Sequence, residues 1–117
     1  MRRLTTHVLD TAQGKPASKV CLRLFRNEPQ GRVLVCERLT NDDGRCDSPL
    51  LEDAQLLNAT YELDFEIGAY FATQPVRQSD PPFLSVVTIR FTISDSDAHY
   101  HVPLVATPWS YSTYRGS

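Results

Sequence analysis

The chain has 117 residues, which is enough for a single domain spanning residues 1–117 with one hydrophobic core. Its 12 lysines and arginines are scattered among 14 aspartates and glutamates, so nothing indicates a nucleic acid or an anionic membrane as a partner. No stretch reaches the roughly 18 apolar residues of a membrane helix, and Met1–Arg3 leads into polar residues rather than the apolar core of a signal peptide, so we expect a cytoplasmic protein.

Short runs rich in valine, leucine, isoleucine, threonine and aromatic residues alternate with prolines and glycines, which is typical of an all-β domain. In chain order the predicted strands are Leu4–Leu9, Lys19–Arg26, Arg32–Thr40, Arg45–Asp47, Tyr61–Ile67, Ser85–Ser94, His99–Thr107 and Tyr111–Arg115. About eight short strands favour a β-sandwich of two sheets.

The connections between these strands carry a turn and one short helix. Asn41–Gly44 predicts a tight hairpin turn, because asparagine and aspartate bond locally and glycine accepts a positive φ. Gly68–Gln74 is the best candidate for a helix, which Pro75 would end. Leu51–Leu57 has the composition of a helix but is equally compatible with an irregular segment.

Two strands differ in how their apolar residues are spaced. In Tyr61–Ile67 apolar residues alternate with Glu62, Asp64 and Glu66, so we expect one face in the core and the acidic face in water. Val102–Trp109 is apolar at odd-numbered and even-numbered positions alike, so both faces of this strand must be shielded from water. One face can lie inside the sandwich, and the other is then available to a second subunit.

The chain has three cysteines and three histidines, the two residue types that most often bind zinc. The odd number and the spacing of Cys21, Cys36 and Cys46 match no paired zinc motif, so reduced thiols are expected. Strand parity puts His99 and His101 on one face, about 7 Å apart. With a third nitrogen from His7 they could hold a zinc ion with an open position. The alternative is histidines on the surface or in hydrogen bonds, without a functional role.

Four separated segments resemble, in the same order, the motifs of the 5-hydroxyisourate hydrolase family, the transthyretin-like enzymes of purine breakdown. They are Leu-Thr-Thr-His-Val-Leu-Asp at residues 4–10, Asp-Gly-Arg-Cys at 43–46, His-Tyr-His-Val-Pro-Leu at 99–104 and Trp-Ser-Tyr-Ser-Thr-Tyr-Arg-Gly-Ser at 109–117. The resemblance therefore runs nearly from end to end and implies a transthyretin-like sandwich.

The resemblance also implies the site residues. His7 and His101 would be catalytic, since a histidine can take a proton from water near neutral pH. One would be the base and the other an acid or an orienting group, and the sequence does not say which. Arg45 would orient the substrate and stabilise an oxyanion through its planar donors. The last residues would line the substrate pocket: Tyr114, Arg115, Gly116 and Ser117.

The implied reaction is hydrolysis of 5-hydroxyisourate, the product of urate oxidation, to 2-oxo-4-hydroxy-4-carboxy-5-ureidoimidazoline. Water would attack directly, with no metal, no other cofactor and no covalent intermediate. Family architecture implies a homotetramer, a dimer of dimers, with the site in a groove between subunits. Phe83, Trp109 and Tyr111 would then serve in the core or in an interface rather than in the site.

Two other functions stay open on the sequence alone. Transthyretin has this fold and carries hormones, so a protein that binds or transports a small ligand is an alternative, although transthyretin lacks the two histidines and the arginine at these motif positions. A metal-dependent cyclic amide hydrolase would keep the enzymatic class and change the chemistry. Fold alone cannot choose among these functions.

Overall fold

The computed structural model describes residues 2–116. Within these residues the chain forms short strands, one 3-10 turn at Asp53–Gln55 and one helix, α1, at Ile67–Ala72. The strands are β1 Arg3–Thr5, β2 Val8–Asp10, β3 Lys15–Pro16, β4 Cys21–Glu28, β5 Gly31–Leu39, β6 Leu51–Glu52, β7 Ala59–Phe65, β8 Val87–Ile93, β9 Tyr100–His101, β10 Leu104–Ala106 and β11 Tyr111–Ser112. The predicted all-β class with one short helix is confirmed.

One layer of the fold is an antiparallel sheet in the order β5-β4-β7-β8. Its central strands alternate between core and outer residues, and Leu22, Leu24 and Leu63 are completely buried. The other layer consists of two short sheets, β6-β1-β9 and β11-β10-β2-β3. Residues from both layers meet in one hydrophobic cluster, to which Leu4 and Leu104 contribute from the second layer.

The two short sheets continue one another. The amide of Val102 donates to the carbonyl of Thr5, and the amide of Leu104 donates to the carbonyl of His7, each at 2.9 Å. These bonds link parallel neighbours, since β1 pairs with β9 and β2 pairs with β10. The strands predicted at Leu4–Leu9 and His99–Thr107 are thus both present, but each is divided into two short strands. In the second of them the division falls at Pro103, which has no amide hydrogen to donate.

The prediction that the acidic face of β7 lies in water is wrong. Glu62 and Asp64 are only 9% and 8% exposed. Arg32 of β5 lies across both carboxylates, 3.0 Å from a Glu62 oxygen and 2.9 Å from an Asp64 oxygen, and Arg90 of β8 adds a second guanidinium to Glu62 at 3.1 Å. Buried carboxylates are tolerated here because cations from both sides of the strand satisfy them.

Other boundaries also differ from the sequence prediction. No strand forms at Arg45–Asp47, where Arg45 alone makes an isolated bridge to His7. Ile67 begins α1 rather than ending β7, so the helix lies close to its predicted place. The segment from Leu51 divides into β6 and the 3-10 turn, and β3 was not predicted. The three cysteines are free thiols, as expected.

The apolar run Val102–Trp109 is covered mostly within one chain. Val102, Pro103, Leu104, Ala106 and Pro108 are buried, and Val105 is partly buried. At its end Trp109 is 52% exposed and stacks on Phe83, with the ring centroids 6.1 Å apart. Among residues 2–116 no helix is long and apolar enough to cross a membrane.

Candidate active site

His7 lies in the interruption between β1 and β2, where a tight turn fixes its backbone. It forms the isolated antiparallel bridge to Arg45, and the following amide, of Val8, donates to the carbonyl of Gly44 at 2.8 Å. Gly44 has a φ of 74°, and a Cβ there would lie 2.4 Å from the Val8 carbonyl oxygen. Only glycine can bring the predicted turn this close to His7.

The ring of His7 is oriented by the same turn. Its Nε2 lies 2.9 Å from the carbonyl oxygen of Asp43. A carbonyl oxygen can only accept, so Nε2 carries the proton and Nδ1 carries the lone pair in the neutral ring. Burial lowers the pKa of His7, the charge of Arg45 lowers it further, and the hydrogen bond to Asp43 opposes both effects. His7 is therefore held neutral with Nδ1 available to accept a proton.

His101 faces His7 from the neighbouring parallel strand. It ends β9 and pairs with Thr5 in the ladder between β1 and β9. The ring centroids of His7 and His101 are 6.5 Å apart, and the ring planes are tilted by 45°. The Nδ1 atom of His101 lies 2.8 Å from the Thr5 hydroxyl oxygen. Burial is the largest cause that lowers the pKa of His101, followed by the charges of Arg45 and His7.

Arg45 is the cation of this cluster. Its side chain is exposed, and among residues 2–116 its guanidinium makes no hydrogen bond or ion pair, whereas its backbone is tied to Asn41 by a 2.7 Å bond. Its charge depresses the pKa of both histidines. A recess of about 170 Å³ opens beside it, lined by Arg3 and by the hydroxyl-bearing residues Thr5, Thr6 and Ser48.

The last residues of the chain, 114–117, are called the tail, and it is Gly116 that contacts the site. Its amide donates to the carbonyl of His101 at 2.7 Å, and its carbonyl accepts from the amide of His101 at 3.3 Å. A Cβ at position 116 would lie 3.0 Å from Cδ2 and 3.1 Å from Cβ of His101. The backbone at position 116 thus lies directly against the histidine side chain, and any larger residue there would have to displace it slightly.

The residues before Gly116 hold the tail in place. Arg115 lies over the ring of Tyr100, with its guanidinium carbon 4.2 Å from the centroid, and donates to the carbonyl of His99 at 3.0 Å. Tyr114 is 60% exposed and shares with Arg115 the wall of a cleft of about 210 Å³ beside β8. Ser117, predicted in the pocket, lies outside the described residues.

The structure thus brings together His7, Arg45, His101 and Gly116, whereas Tyr114 and Arg115 line the neighbouring cleft. Within residues 2–116, no group of three or more histidine, cysteine, aspartate or glutamate side chains could hold a metal ion. Two further contacts were not foreseen, namely those of Thr5 and of the Asp43 carbonyl. A signal for Thr5 was available, since it lies two residues before His7 and so shares its face of the strand.

Comparison with known proteins shows to which family the chain is similar. The model of the HIUase/Transthyretin family matches residues 4–116. The chain is 59% identical over 114 residues to the 5-hydroxyisourate hydrolase of Deinococcus radiodurans, covering 97% of this chain and 95% of that one. It is 53% identical to the 5-hydroxyisourate hydrolase of Ralstonia nicotianae over 117 residues, the full length of both.

Solved structures give the same result for the fold. The structure titled (S)-allantoin synthase superposes with a TM-score of 0.93 at 47% identity, and the match covers 98% of this chain but 43% of that longer one. The Klebsiella pneumoniae 5-hydroxyisourate hydrolase has a TM-score of 0.81 at 32% identity over the full length of both chains. Sea bream transthyretin in complex with thyroxine has a TM-score of 0.85 at 25% identity, covering 97% and 94%.

Proposed function

The chain belongs to the HIUase/Transthyretin family, and from this membership we infer that it is an enzyme that hydrolyses 5-hydroxyisourate. The product is 2-oxo-4-hydroxy-4-carboxy-5-ureidoimidazoline, which places the chain in the breakdown of urate. Identity to the named hydrolases is 59% and 53%, whereas identity to the thyroxine-binding transthyretin is 25%. The alternative of a small-ligand carrier is therefore the weaker one.

The observation that carries this function is the pair of histidines with ring centroids 6.5 Å apart, whose pKa values are lowered by burial and by the nearby charge of Arg45. A ligand carrier has no need of a proton acceptor, whereas hydrolysis of a cyclic amide needs a base for water and positive charge near the carbonyl oxygen. His7 and Arg45 supply these two functions from one backbone bridge.

We propose the following chemistry. Nδ1 of His7 takes a proton from water as the water oxygen bonds to a ring carbonyl carbon, and the negative charge that forms on the carbonyl oxygen is stabilised by Arg45. The tetrahedral centre then collapses and breaks the adjacent C–N bond. His7 returns the proton to the leaving nitrogen, so the ring opens to a carboxylic acid, which ionises, and an N–H group. The enzyme ends in its starting state with no covalent intermediate.

The enzymatic activity is tested by following the ultraviolet absorbance of 5-hydroxyisourate produced by urate oxidase, with and without this protein. We expect micromolar protein to accelerate the decay of the intermediate. Unchanged decay would overturn the proposal. A parallel sample dialysed against a chelator separates the two hydrolase mechanisms, because a metal-dependent hydrolase would lose activity and regain it when zinc is added.

We also propose that the protein is a homotetramer, a dimer of dimers, with the site in a groove between subunits. Large apolar side chains left exposed on the single chain support this assembly, among them Phe83 at 66%, Trp109 at 52% and Tyr111 at 47%. Light scattering coupled to gel filtration tests it. A stable monomer with full activity would contradict the shared groove.

A cytoplasmic location is a further proposal. It is supported by three thiols, at Cys21, Cys36 and Cys46, that form no disulfide. Fractionation of cells that express the protein would test the location, and recovery of the protein outside the cytoplasm would refute it.

A further inference from the structure

The hydroxyl of Thr5 contacts one of the two ring nitrogens of His101. The Thr5 hydroxyl oxygen lies 2.8 Å from Nδ1 of His101, and among residues 2–116 this is the only hydrogen bond of that hydroxyl. A threonine hydroxyl has one proton to donate, and here Nδ1 is the acceptor within reach. A proton on Nδ1 would instead leave the hydroxyl proton of a partly buried side chain without a protein acceptor.

We propose that Thr5 is a positioning residue: by donating to Nδ1 it holds His101 as the neutral Nε2–H tautomer, so that Nε2–H donates a hydrogen bond to the oxyanion formed in hydrolysis. This inference rests on the proposed function and assigns the two histidines to different tasks. His7 exposes a lone pair, because its Nε2–H is bound by the Asp43 carbonyl. His101 exposes an N–H, because its Nδ1 lone pair is bound by Thr5.

The surroundings of His101 agree with a neutral donor. Arg45 and the second imidazole both disfavour a positive charge on its ring. A neutral imidazole is a very weak acid, so His101 can donate a hydrogen bond without transferring the proton, and the proton balance of hydrolysis stays with His7. The backbone of Gly116 packs against the ring, since a Cβ added at position 116 would lie 3.0 Å from Cδ2, the carbon next to Nε2.

The parallel ladder explains why threonine can perform this task. Thr5 and His101 are register partners in the pairing of β1 with β9, although they are 96 positions apart in the chain. A side chain at position 5 that lacks a hydroxyl would leave Nδ1 unpaired, and the two tautomers would then differ little in energy. Serine would keep the hydroxyl, whereas valine would keep the shape and lose the donor.

The test uses full-length Thr5→Val and Thr5→Ser with Thr60→Val as the matched control. Within the described part of the chain, the hydroxyl of Thr60 bonds only to the hydroxyl of Thr92, on an exposed face of the other sheet. We expect Thr5→Val to lower kcat about tenfold to a hundredfold with little change in KM, and Thr5→Ser to restore most of kcat. Thr60→Val should behave like the wild type.

Nitrogen-15 NMR of the histidine rings gives the readout that a purely structural role would not move. In the wild type we expect an unprotonated Nδ1 and a protonated Nε2 at His101, and in Thr5→Val a mixture of tautomers or the reverse one. A protonated Nδ1 in the wild type, or an unchanged kcat in Thr5→Val, would overturn the inference. An inactive wild type would overturn the proposed function instead, while the NMR result on Thr5 would still stand or fall by itself.

Discussion

His7 and Arg45 are partners in an isolated antiparallel bridge, so the backbones that carry the proposed base and the proposed cation lie side by side. The bridge depends on the turn at 41–44, in which the side chain of Asn41 accepts from the amides of Asp43 and Arg45 at 2.9 and 3.1 Å. The carbonyl of Asp43 then orients the ring of His7. One turn thus holds the backbone of Arg45 and orients the ring of His7, and through the bond to Nε2 it also determines the tautomer of His7.

Removing either site histidine should abolish most of the turnover. We expect His7→Ala and His101→Ala each to lower kcat by about two to four orders of magnitude, the range for lost acid–base or oxyanion stabilisation. His99→Ala is the matched control, because that side chain is exposed and its backbone carbonyl, which Arg115 contacts, is retained. If His99 proves as important as His101 and activity follows added zinc, the metal-dependent mechanism replaces ours.

After burial, Arg45 should be the main cause of the low pKa values of both histidines. Its charge lowers the pKa of His7 and of His101, so Arg45→Met should raise both values toward the usual 6.5 or so. Arg45→Lys should leave them nearly unchanged while losing the planar donors that bind substrate. NMR titration of the ring protons measures this without any turnover. Equal histidine pKa values in the wild type and in Arg45→Met would show that the guanidinium does not act on the pair.

The same depressed pKa values predict how stability depends on pH. A group with a lower pKa in the folded state binds fewer protons there than in the unfolded chain, so acid favours unfolding. For His7 and His101 the free energy of unfolding should therefore fall as pH drops below about 6.5, and level off below the folded pKa values. Urea unfolding between pH 7.5 and 5.0 measures the slope. His7→Gln combined with His101→Gln should flatten it.

The carboxylate of Glu62 affects the free energy of unfolding in a different pH range. Hydrogen bonding to Arg90 is the largest cause that lowers the pKa of Glu62, so its stabilisation is lost only at pH values below the usual range of glutamate. A stability slope near pH 6 that survives in the double histidine variant would therefore contradict the assignment to the histidines.

The tail should affect catalysis more than folding. Removing residues 114–117 deletes the backbone pairing of Gly116 with His101 and the stacking of Arg115 on Tyr100, while the buried side chains of Val102 and Leu104 are retained. We expect a folded protein with an unchanged circular dichroism spectrum and most of its turnover lost, through misplacement of water and substrate.

A single substitution examines the same segment more finely. Gly116→Ala would place a methyl group 3.0 Å from Cδ2 of His101 and so displace the ring by a few tenths of an ångström. We expect a clear loss of kcat with normal unfolding in urea. Turnover near the wild-type level in both Gly116→Ala and the truncated protein would remove the tail from the site.

Sequence periodicity predicted most of the fold, because the strands of the larger sheet alternate as strands in a sandwich do. It could not predict that Glu62 and Asp64 are buried, since the arginines that satisfy them come from β5 and β8. Family motifs predicted His7, Arg45 and His101. Strand parity does point to Thr5, which lies two residues before His7, but it cannot show that a parallel pairing brings the Thr5 hydroxyl to His101. The contact of Asp43 is made by a backbone carbonyl and leaves no signal in the sequence.

The parallel pairing of β1 with β9 and of β2 with β10 also has a consequence for synthesis. At roughly 5–20 residues per second, β1 and β2 wait roughly 5–20 seconds on the ribosome before their neighbours 96 positions later emerge. The antiparallel pair β4 and β5 can form in the meantime, because its residues are close in sequence. The proposed catalytic cluster is therefore the last part of the molecule to assemble. Until then the first strands are open edges that can pair with other nascent chains.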